Sequence, residues 1–497
     1  MKLLLLPACV LSAFLFFQCG SDSGSQTSSH DSKDLPMPAD PMFKTLPSAE
    51  TGITFTNKIE ESFLQNVLTF AYLYNGGGVG ILDINNDGLQ DVYFTATTGD
   101  CKLYQNLGNM KFKDITNQAG VAAPKGIKTG VCVVDINADG WQDIYLSRTG
   151  PRAEQQRANL LFINNQNGTF TEAAAQYGLA DLSAHTNANF FDYDNDGDLD
   201  VYVLVYPDDF ASVNKVYAQD NGKGEMKRFN KPNNEYDTDR LYRNNGNFTF
   251  TDVSKEAGIW NRAFGLTVNT VDFNNDGWLD IYVGNDYVEP DFYYVNNKNG
   301  TFTEQNIAKF RHTTENSMGT DVADFNNDGM LDLLALDMLS EDFTVQKERV
   351  TSRTFERTST LNKYGYGHQE VRNVMNLNNG NGSFSDVGCL AGIFQTDWSW
   401  SVLAQDYDND GWKDIYVTNG YRRDITNADY IFFTADSIAR IPGGVSQRNF
   451  KTIYDYLNLM PSYKLQHYCY RSKGDLTYEN VSTNWGFVQK TYANGAA

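Results

Sequence analysis

Six times the sequence spells Asp-x-(Asp/Asn)-x-Asp-Gly-x-x-Asp, starting at Asp83, Asp135, Asp192, Asp272, Asp324 and Asp406. Each copy runs straight into a β-type stretch such as DVYF, DIYL or DLLA. In the first copy, side-chain oxygens fall at loop positions 1, 3, 5 and 9 (Asp83, Asn85, Asp87, Asp91). Gly88 holds position 6, where the chain must turn with a positive φ. Leu89 at position 7 offers its backbone carbonyl. The same five positions are Asp135, Asn137, Asp139, Trp141 and Asp143 in the second loop, and Asp192, Asp194, Asp196, Asp198 and Asp200 in the third. They are Asp272, Asn274, Asp276, Trp278 and Asp280 in the fourth, and Asp324, Asn326, Asp328, Met330 and Asp332 in the fifth. The sixth has Asp406, Asp408, Asp410, Trp412 and Asp414.

Hard oxygen donors in a flexible loop of this size suit Ca²⁺, with its 6–8 oxygen ligands, better than Mg²⁺, which demands a tight octahedron. About six calcium sites are therefore expected. An EF-hand would need a bidentate Glu at position 12 and flanking helices. Position 12 is instead Phe94, Leu146, Val203, Val283, Ala335 or Val417, all apolar and all within β-type runs. An acidic β-turn accounts for the Asp, Asn and Gly, but it has no need of the position-9 Asp that every copy carries. The formal net charge of −22 agrees with this reading, since six divalent cations would offset twelve of those charges. Without metal, like charges crowd in each loop. An acidic chain with no long basic cluster argues against nucleic acid as a partner.

The loop starts are 52, 57, 80, 52 and 82 residues apart, so the short spacing is the repeat and the long ones carry insertions. One unit, Phe264 to Glu304, holds an alternating strand, the loop, a second strand, a third (FYYVNN) and a short TFTE strand. Four strands per unit, repeated without 3.6-residue apolar periodicity, predict an all-β β-propeller of four-stranded blades. A Phe- or Tyr-centred short strand occurs seven times: ITFT at Ile53, then KFKD, TFTE, TFTD, TFTE, SFSD and TYEN. With six metal hairpins and a Tyr492–Ala497 stretch resembling Asn75–Val79, the count predicts a seven-bladed design with the seventh blade incomplete and ITFT in it. A six-bladed ring is the alternative. The pattern predicts a repeat continuing past Ala497 and a wedge between the Asp406 and Asp83 blades. Insertions at about 204–239, 338–372 and 420–468 carry Tyr206, Arg353, Arg357, His368, Tyr421, Arg422, Arg423 and His467, and long loops on a rigid scaffold are where function sits.

At the N-terminus, Met1-Lys2 precedes an apolar run, Leu3 to Phe17, too short for a comfortable membrane span. It reads as a signal peptide over 1–19, with lipidation at Cys19 and a flexible tether over 20–48 ahead of a propeller at 49–497. This implies an exported outer-membrane lipoprotein, facing the exterior or the periplasm. Cys101, Cys132, Cys389 and Cys469 match no zinc spacing, and their pairing stays open. Four of the five Asn-x-Ser/Thr sequons (Asn167, Asn247, Asn299, Asn381) overlap the turn into the TFT strand, so repeat geometry explains them; Asn480 is the fifth.

The loops, the Phe264-Gly265 type of start and the NNG-x-TFT turns resemble the FG-GAP/VCBS repeat family, whose propellers resemble the integrin α-subunit head. RHTTENSMGTDVADFNNDG, TDWSWSVLAQDYDNDG and TNGYRRDITNADY resemble segments of large Bacteroidota surface lipoproteins that continue into an ASPIC/UnbV-type domain. The resemblance implies the fold, calcium and a cell-surface location. Function is then expected to be binding or adhesion toward an extracellular glycan or protein. The alternative is a propeller-based polysaccharide lyase or hydrolase. The five His (His30, His185, His312, His368, His467) are scattered, and no nucleophile or acid–base spacing names a catalytic residue. Gly76–Gly80 is no dinucleotide fingerprint, because an Asp-rich turn follows it; small residues at a crowded propeller axis explain it.

Overall fold

A computed structural model of the protein describes residues 33–150, 154–232, 234–349 and 354–497. The signal segment, Cys19, His30, the tether up to residue 32 and Arg353 lie outside the described residues. Six antiparallel four-stranded sheets follow one another as blades. Blade 1 is built from Val79–Leu82, Asp91–Phe94, Lys102–Asn106 and Phe112–Asp114, and blade 2 from Ile127–Val134, Asp143–Thr149, Leu160–Asn164 and Phe170–Glu172. Blade 3 uses His185–Phe191, Asp200–Val205, Arg240–Asn244 and Phe250–Asp252, and blade 4 uses Phe264–Val271, Asp280–Asp286, Phe292–Asn296 and Phe302–Glu304. Blade 5 is Gly319–Ala323, Asp332–Leu336, Val374–Asn378 and Phe384–Asp386, and blade 6 is Ser399–Gln405, Asp414–Asn419, Tyr468–Ser472 and Tyr478–Asn480.

The second strands are buried on both faces, as in Asp200–Val205, Asp280–Asp286 and Asp332–Leu336, and neighbouring blades pack against each other across them. Tyr202, Leu204 and Leu241 of blade 3 share a core with Val268, Ile281 and Phe292 of blade 4. Leu334 and Met375 of blade 5 share one with Val402 and Ile415 of blade 6. At the axis the backbones come so close that only glycine fits. A Cβ on Gly319 would lie 2.0 Å from Trp400 O, one on Gly130 2.9 Å from Thr186 O, and one on Gly77 2.1 Å from Thr95 O. The glycine run at 76–80 thus serves packing.

Blades 6 and 1 meet through the ends of the chain. Near the axis, Ala493 N–H donates to Asn419 O (3.2 Å) and Asn494 Nδ2 to Tyr74 O (3.0 Å). Asn494 and Gly495 line the central channel alongside Gly76–Gly78 and the first strands of blades 2 to 6. At the periphery Phe43 N–H donates to Trp485 O (2.8 Å), and its ring packs on Tyr407, Trp485 and Phe487. A Cβ on Gly486 would meet Phe43 O at 2.2 Å, just as one on Gly178 would meet Phe250 O at 2.8 Å and one on Gly258 would meet Phe302 O at 2.9 Å. Phe43 therefore stands where the fourth-strand Phe of a following blade stands.

This corrects the placement of ITFT. Ile53–Thr56 forms no strand; it follows a short helix, Ser48–Thr51, that ends on the left-handed Gly52. Phe55 stacks on Phe94 (4.9 Å), and Thr54 N–H donates to Tyr104 Oη (3.2 Å). The same helix-then-glycine device follows the fourth strands at Thr116–Ala119, Ala174–Tyr177, Gly388–Ala391 and Ser482–Trp485. Within the stretch expected in the tether, Asp34, Leu35 and Phe43 are held against the segment that follows blade 6: Leu35 N–H donates to Val488 O at 3.0 Å and Asp34 Oδ1 accepts from Lys490 N at 2.9 Å.

All three insertions connect second to third strands and lie on the face opposite the metal loops. They carry the Ala218–Asp220/Met226–Arg228 hairpin, the helices Phe343–Glu348 and Phe355–Tyr364, and a π-helix, Tyr430–Ala435, that runs into Asp436–Ala439. Among the described residues no helix is long and apolar enough to cross a membrane. Cys101, Cys132, Cys389 and Cys469 are all free thiols.

Candidate metal centres and a pocket on the opposite face

Each loop joins the first strand of its blade to the second, and its carboxylates hold it in shape. The position-1 Asp accepts the Gly N–H of position 6 in all six, at 2.7–2.9 Å. The position-5 Asp accepts the N–H of position 7 at 2.8–3.0 Å. Gly at position 6 has φ of 81–95°, as expected. Position 4 is left-handed too (Asn86, Ala138, Asn195, Asn275, Asn327, Asn409), which the motif did not reveal. Asn tolerates this conformation better than most residues.

The position-9 Asp is the buried member of each set. Asp332 accepts from Phe325 N (3.0 Å) and Asn378 N (2.8 Å), tying the loop to the third strand, and Asp91, Asp143, Asp200 and Asp414 repeat the pattern. Burial pushes Asp143 and Asp200 up to about 7, and Asp280 and Asp332 up to about 6. Loops of adjacent blades also touch: Asn86 Nδ2 donates to Gly140 O, Asn195 Nδ2 to Gly277 O and Asn327 Nδ2 to Gly411 O, all at 3.0–3.1 Å. Third-strand asparagines reach the preceding blade's loop, as Asn164 does to Ile84 O and Asn296 to Tyr193 O.

The donor set fits a hard divalent cation. Every side-chain donor is oxygen, and the position-3 oxygens Asn85 Oδ1 and Asp194 Oδ1 are buried without a hydrogen-bond partner. In the third and sixth loops, Asp192, Asp194 and Asp200, and likewise Asp406, Asp408 and Asp414, bring one carboxylate oxygen each within 4.8 Å of the others. A cation there would favour the ionised form that burial disfavours. The sequon asparagines serve the blade turns: Asn167, Asn247, Asn299 and Asn381 each accept from the hydroxyl two residues on.

On the opposite face, over blades 4 to 6, lies a pocket of about 390 Å³. Its lining includes Tyr72, Asp286, Tyr287, Glu315, Asn316, Gln346, Arg349, Trp398, Trp400 and Tyr421. Trp398 and Tyr421 stack at 3.9 Å, and the Arg349 guanidinium sits 5.2 Å from the Trp398 ring. Arg349 also pairs with Asp397 (2.9 Å). Asp286 is buried, accepts from Tyr72 Oη (2.9 Å) and is pushed up to about 7 by that burial. Of the insertion residues singled out by sequence, Tyr421 lines this pocket. Arg423 instead is buried, donating to Leu457 O (3.0 Å) and facing Glu61 at 3.6 Å; Tyr206 packs among Tyr72 and Phe264; and His467 hydrogen-bonds Thr491 Oγ1 (2.6 Å). Asp286, Tyr287, Arg349, Trp398 and Trp400 were not anticipated. The Trp398-Ser-Trp400 pair ahead of a metal hairpin is the one local signal they leave.

Comparison with known proteins places these features. An FG-GAP-like repeat profile matches residues 83–146, 151–203, 230–283, 272–335 and 366–417. Cartilage acidic protein 1 of Homo sapiens is 25% identical over 285 residues, 53% of this chain and 38% of that protein. Its Mus musculus counterpart is 24% identical over 287 residues, 52% and 38%. The chain thus spans well under half the length of these relatives. Among solved structures, an Agrocybe aegerita lectin specific for non-reducing terminal N-acetylglucosamine aligns with TM-score 0.40 and 16% identity, covering 82% of this chain and 81% of the lectin. The SapL1 lectin, solved with alpha methyl fucoside, aligns with TM-score 0.36 and 13% identity over 70% and 91%.

Proposed function

The chain belongs to the FG-GAP-like repeat family, whose profile covers more than half of it, and from that premise we propose a calcium-loaded, cell-surface propeller that binds a glycan in the pocket facing away from the metal loops. The pocket carries the reading. Its volume is in the range of small-ligand sites, enough for one or two sugar rings and too concave for a flat protein epitope. Aromatic faces supply apolar contact for a sugar's C–H surface. Asp286, Glu315, Asn316 and Gln346 supply hydrogen-bonding groups for its hydroxyls. Calcium, held by the six oxygen-lined loops, would neutralise the crowded carboxylates and fix the hairpins on which the blades depend. Lipid on Cys19 would tether the propeller to the outer membrane.

Glycan-array binding of the calcium-loaded chain, beside Tyr287→Ala and Asn316→Ala, tests this. Binding that both substitutions weaken at least tenfold is the expected outcome. A parent that retains no glycan refutes the reading. A second reading, a polysaccharide lyase or hydrolase, draws on one observation: Asp286, which burial raises to about 7, and Glu315 share the pocket. A carboxyl held near neutral pH is a candidate general acid. Chain shortening of an incubated polysaccharide, abolished by Asp286→Asn, would favour it.

A further inference from the structure

The residue at loop position 3 is answered by a residue on the third strand of the same blade. In three of the four loops with asparagine there, its amide donates to the outer oxygen of position 5: Asn85 to Asp87 Oδ2 (2.8 Å), Asn137 to Asp139 Oδ2 (3.1 Å) and Asn326 to Asp328 Oδ2 (2.9 Å). That bond turns the asparagine carbonyl oxygen inward, where Asn85 Oδ1 lies buried and without a partner. An aspartate cannot make it, because two carboxylates have no proton to share. The third and sixth loops carry Asp194 and Asp408 at this position.

In those two blades, the fourth residue of the third strand is arginine, Arg243 and Arg471. In the four blades with asparagine it is Gln105, Ile163, Val295 or Leu377. Arg471 Nε lies 2.5 Å from Asp408 Oδ2, and its Nη2 donates to Asp410 Oδ2 at 3.1 Å. The guanidinium therefore spans the outer oxygens of positions 3 and 5, as the asparagine amide does elsewhere. It leaves Oδ1 of both residues to the loop interior, where they accept the N–H groups of Asp410 and Trp412. In the sixth loop, four carboxylates and one guanidinium also carry the same net charge as the three carboxylates of an asparagine loop.

We propose that Arg471 is a positioning residue that replaces the asparagine amide and brings the cation affinity of the sixth loop level with that of the asparagine loops; Arg243 holds the same register in blade 3. This rests on the calcium reading above. The test is a double-mutant cycle between Asp408 and Arg471 in a Trp141→Phe, Trp278→Phe background, so that Trp412, inside the sixth loop, sensitises Tb³⁺ emission there and Ca²⁺ competes it away. Asp408→Asn alone leaves a surplus cation beside the site and should weaken Ca²⁺ binding about tenfold, the scale of one uncompensated unit charge near a surface site. Adding Arg471→Leu, the residue of blade 5, should restore affinity to within about threefold of the parent. Melting of Arg471→Leu in chelator should hardly change, because the arginine is half exposed and such pairs contribute little to stability. If Asp408→Asn and the double variant bind Ca²⁺ equally weakly, the positioning role is overturned while the calcium reading stands. If the parent itself binds neither ion, both fall.

Discussion

Replacing Asp276 by Ala separates the metal's contribution from the loop's own. Asp276 is exposed; its Oδ1 accepts from Trp278 N at 3.0 Å and its Oδ2 faces Lys298 Nζ at 3.2 Å. Water replaces both contacts when the side chain is lost, so in chelator the variant should lose no more than the ~0–1 kcal/mol of an exposed ion pair. With Ca²⁺ at a hundredfold excess over Kd, a filled site adds about 2.7 kcal/mol, and the variant should forfeit that as well. Urea unfolding in both media measures the difference, and calorimetric titration should count five cations in place of six. Asp280→Ala is the contrast. It leaves the Tyr293 hydroxyl (2.6 Å) and Asn296 N (2.8 Å) without their acceptor, at about 1–3 kcal/mol each, with or without metal. Burial raises Asp280 to about 6, so ionising it in the metal-free fold costs ~3 kcal/mol at pH 7. A raised carboxyl destabilises above its folded pKa and not below its unfolded one. The Asp280→Ala deficit in chelator should therefore widen as pH falls from 7 towards 4. Equal losses for Asp276→Ala in chelator and in Ca²⁺ would refute the separation.

Three further outcomes are expected. Gly319→Ala, whose Cβ would sit 2.0 Å from Trp400 O, should cost about 1–3 kcal/mol or more by prising blades 5 and 6 apart; in chelator, Gly329→Ala, with open space and φ of +86°, should cost only ~1 kcal/mol, as denaturant melts will tell. Burial pushes His185 down to about 4, against the pull of Asp181 and with Arg240 and Arg157; relative to His185→Asn, stability should be intact above pH 6.5 and fall by up to ~3 kcal/mol as pH drops through 4, read from unfolding at stepped pH. Cys19→Ser should move the protein from the membrane to the soluble fraction, and equal partitioning of both forms would end the lipid-anchor proposal.

The blade was legible because its signals are local. Positions 1, 3, 5, 6 and 9 of each loop and the alternation on either side lie within about twenty residues, so pattern and structure coincide. ITFT misled because Thr-Phe-Thr also marks the fourth strand; the better landmark was Ser48-Ala-Glu-Thr-Gly52, the helix-and-glycine unit that follows fourth strands elsewhere. The helices of the insertions show no usable stripe: Phe355 at the start of Phe355–Tyr364 is exposed, and Leu361 is its buried anchor. The pocket was invisible for a different reason. Tyr72, Tyr287, Arg349 and Tyr421 come from four stretches with no shared spacing, brought together by ring curvature alone.

The way the ends of the chain meet sets the order in which the molecule can assemble. Every hairpin and every blade-to-blade core joins stretches adjacent in sequence, so ordering can spread from one unit to the next like a closing zip, each step completing the face the last left bare. Contacts between the N-terminal stretch and blade 6 with its insertion differ in kind: Glu61 N–H donates to Tyr454 Oη, and Val67 and Leu73 share a core with Trp398 and Tyr456. Phe43 must find Trp485, and Asn494 must find Tyr74, across more than four hundred residues of chain. Such a contact pays its loop entropy only once the intervening blades have drawn the ends together. The latch between blades 6 and 1 is therefore expected to close only after the blades have formed, and amide exchange at Thr491–Gly495 is the readout that checks it.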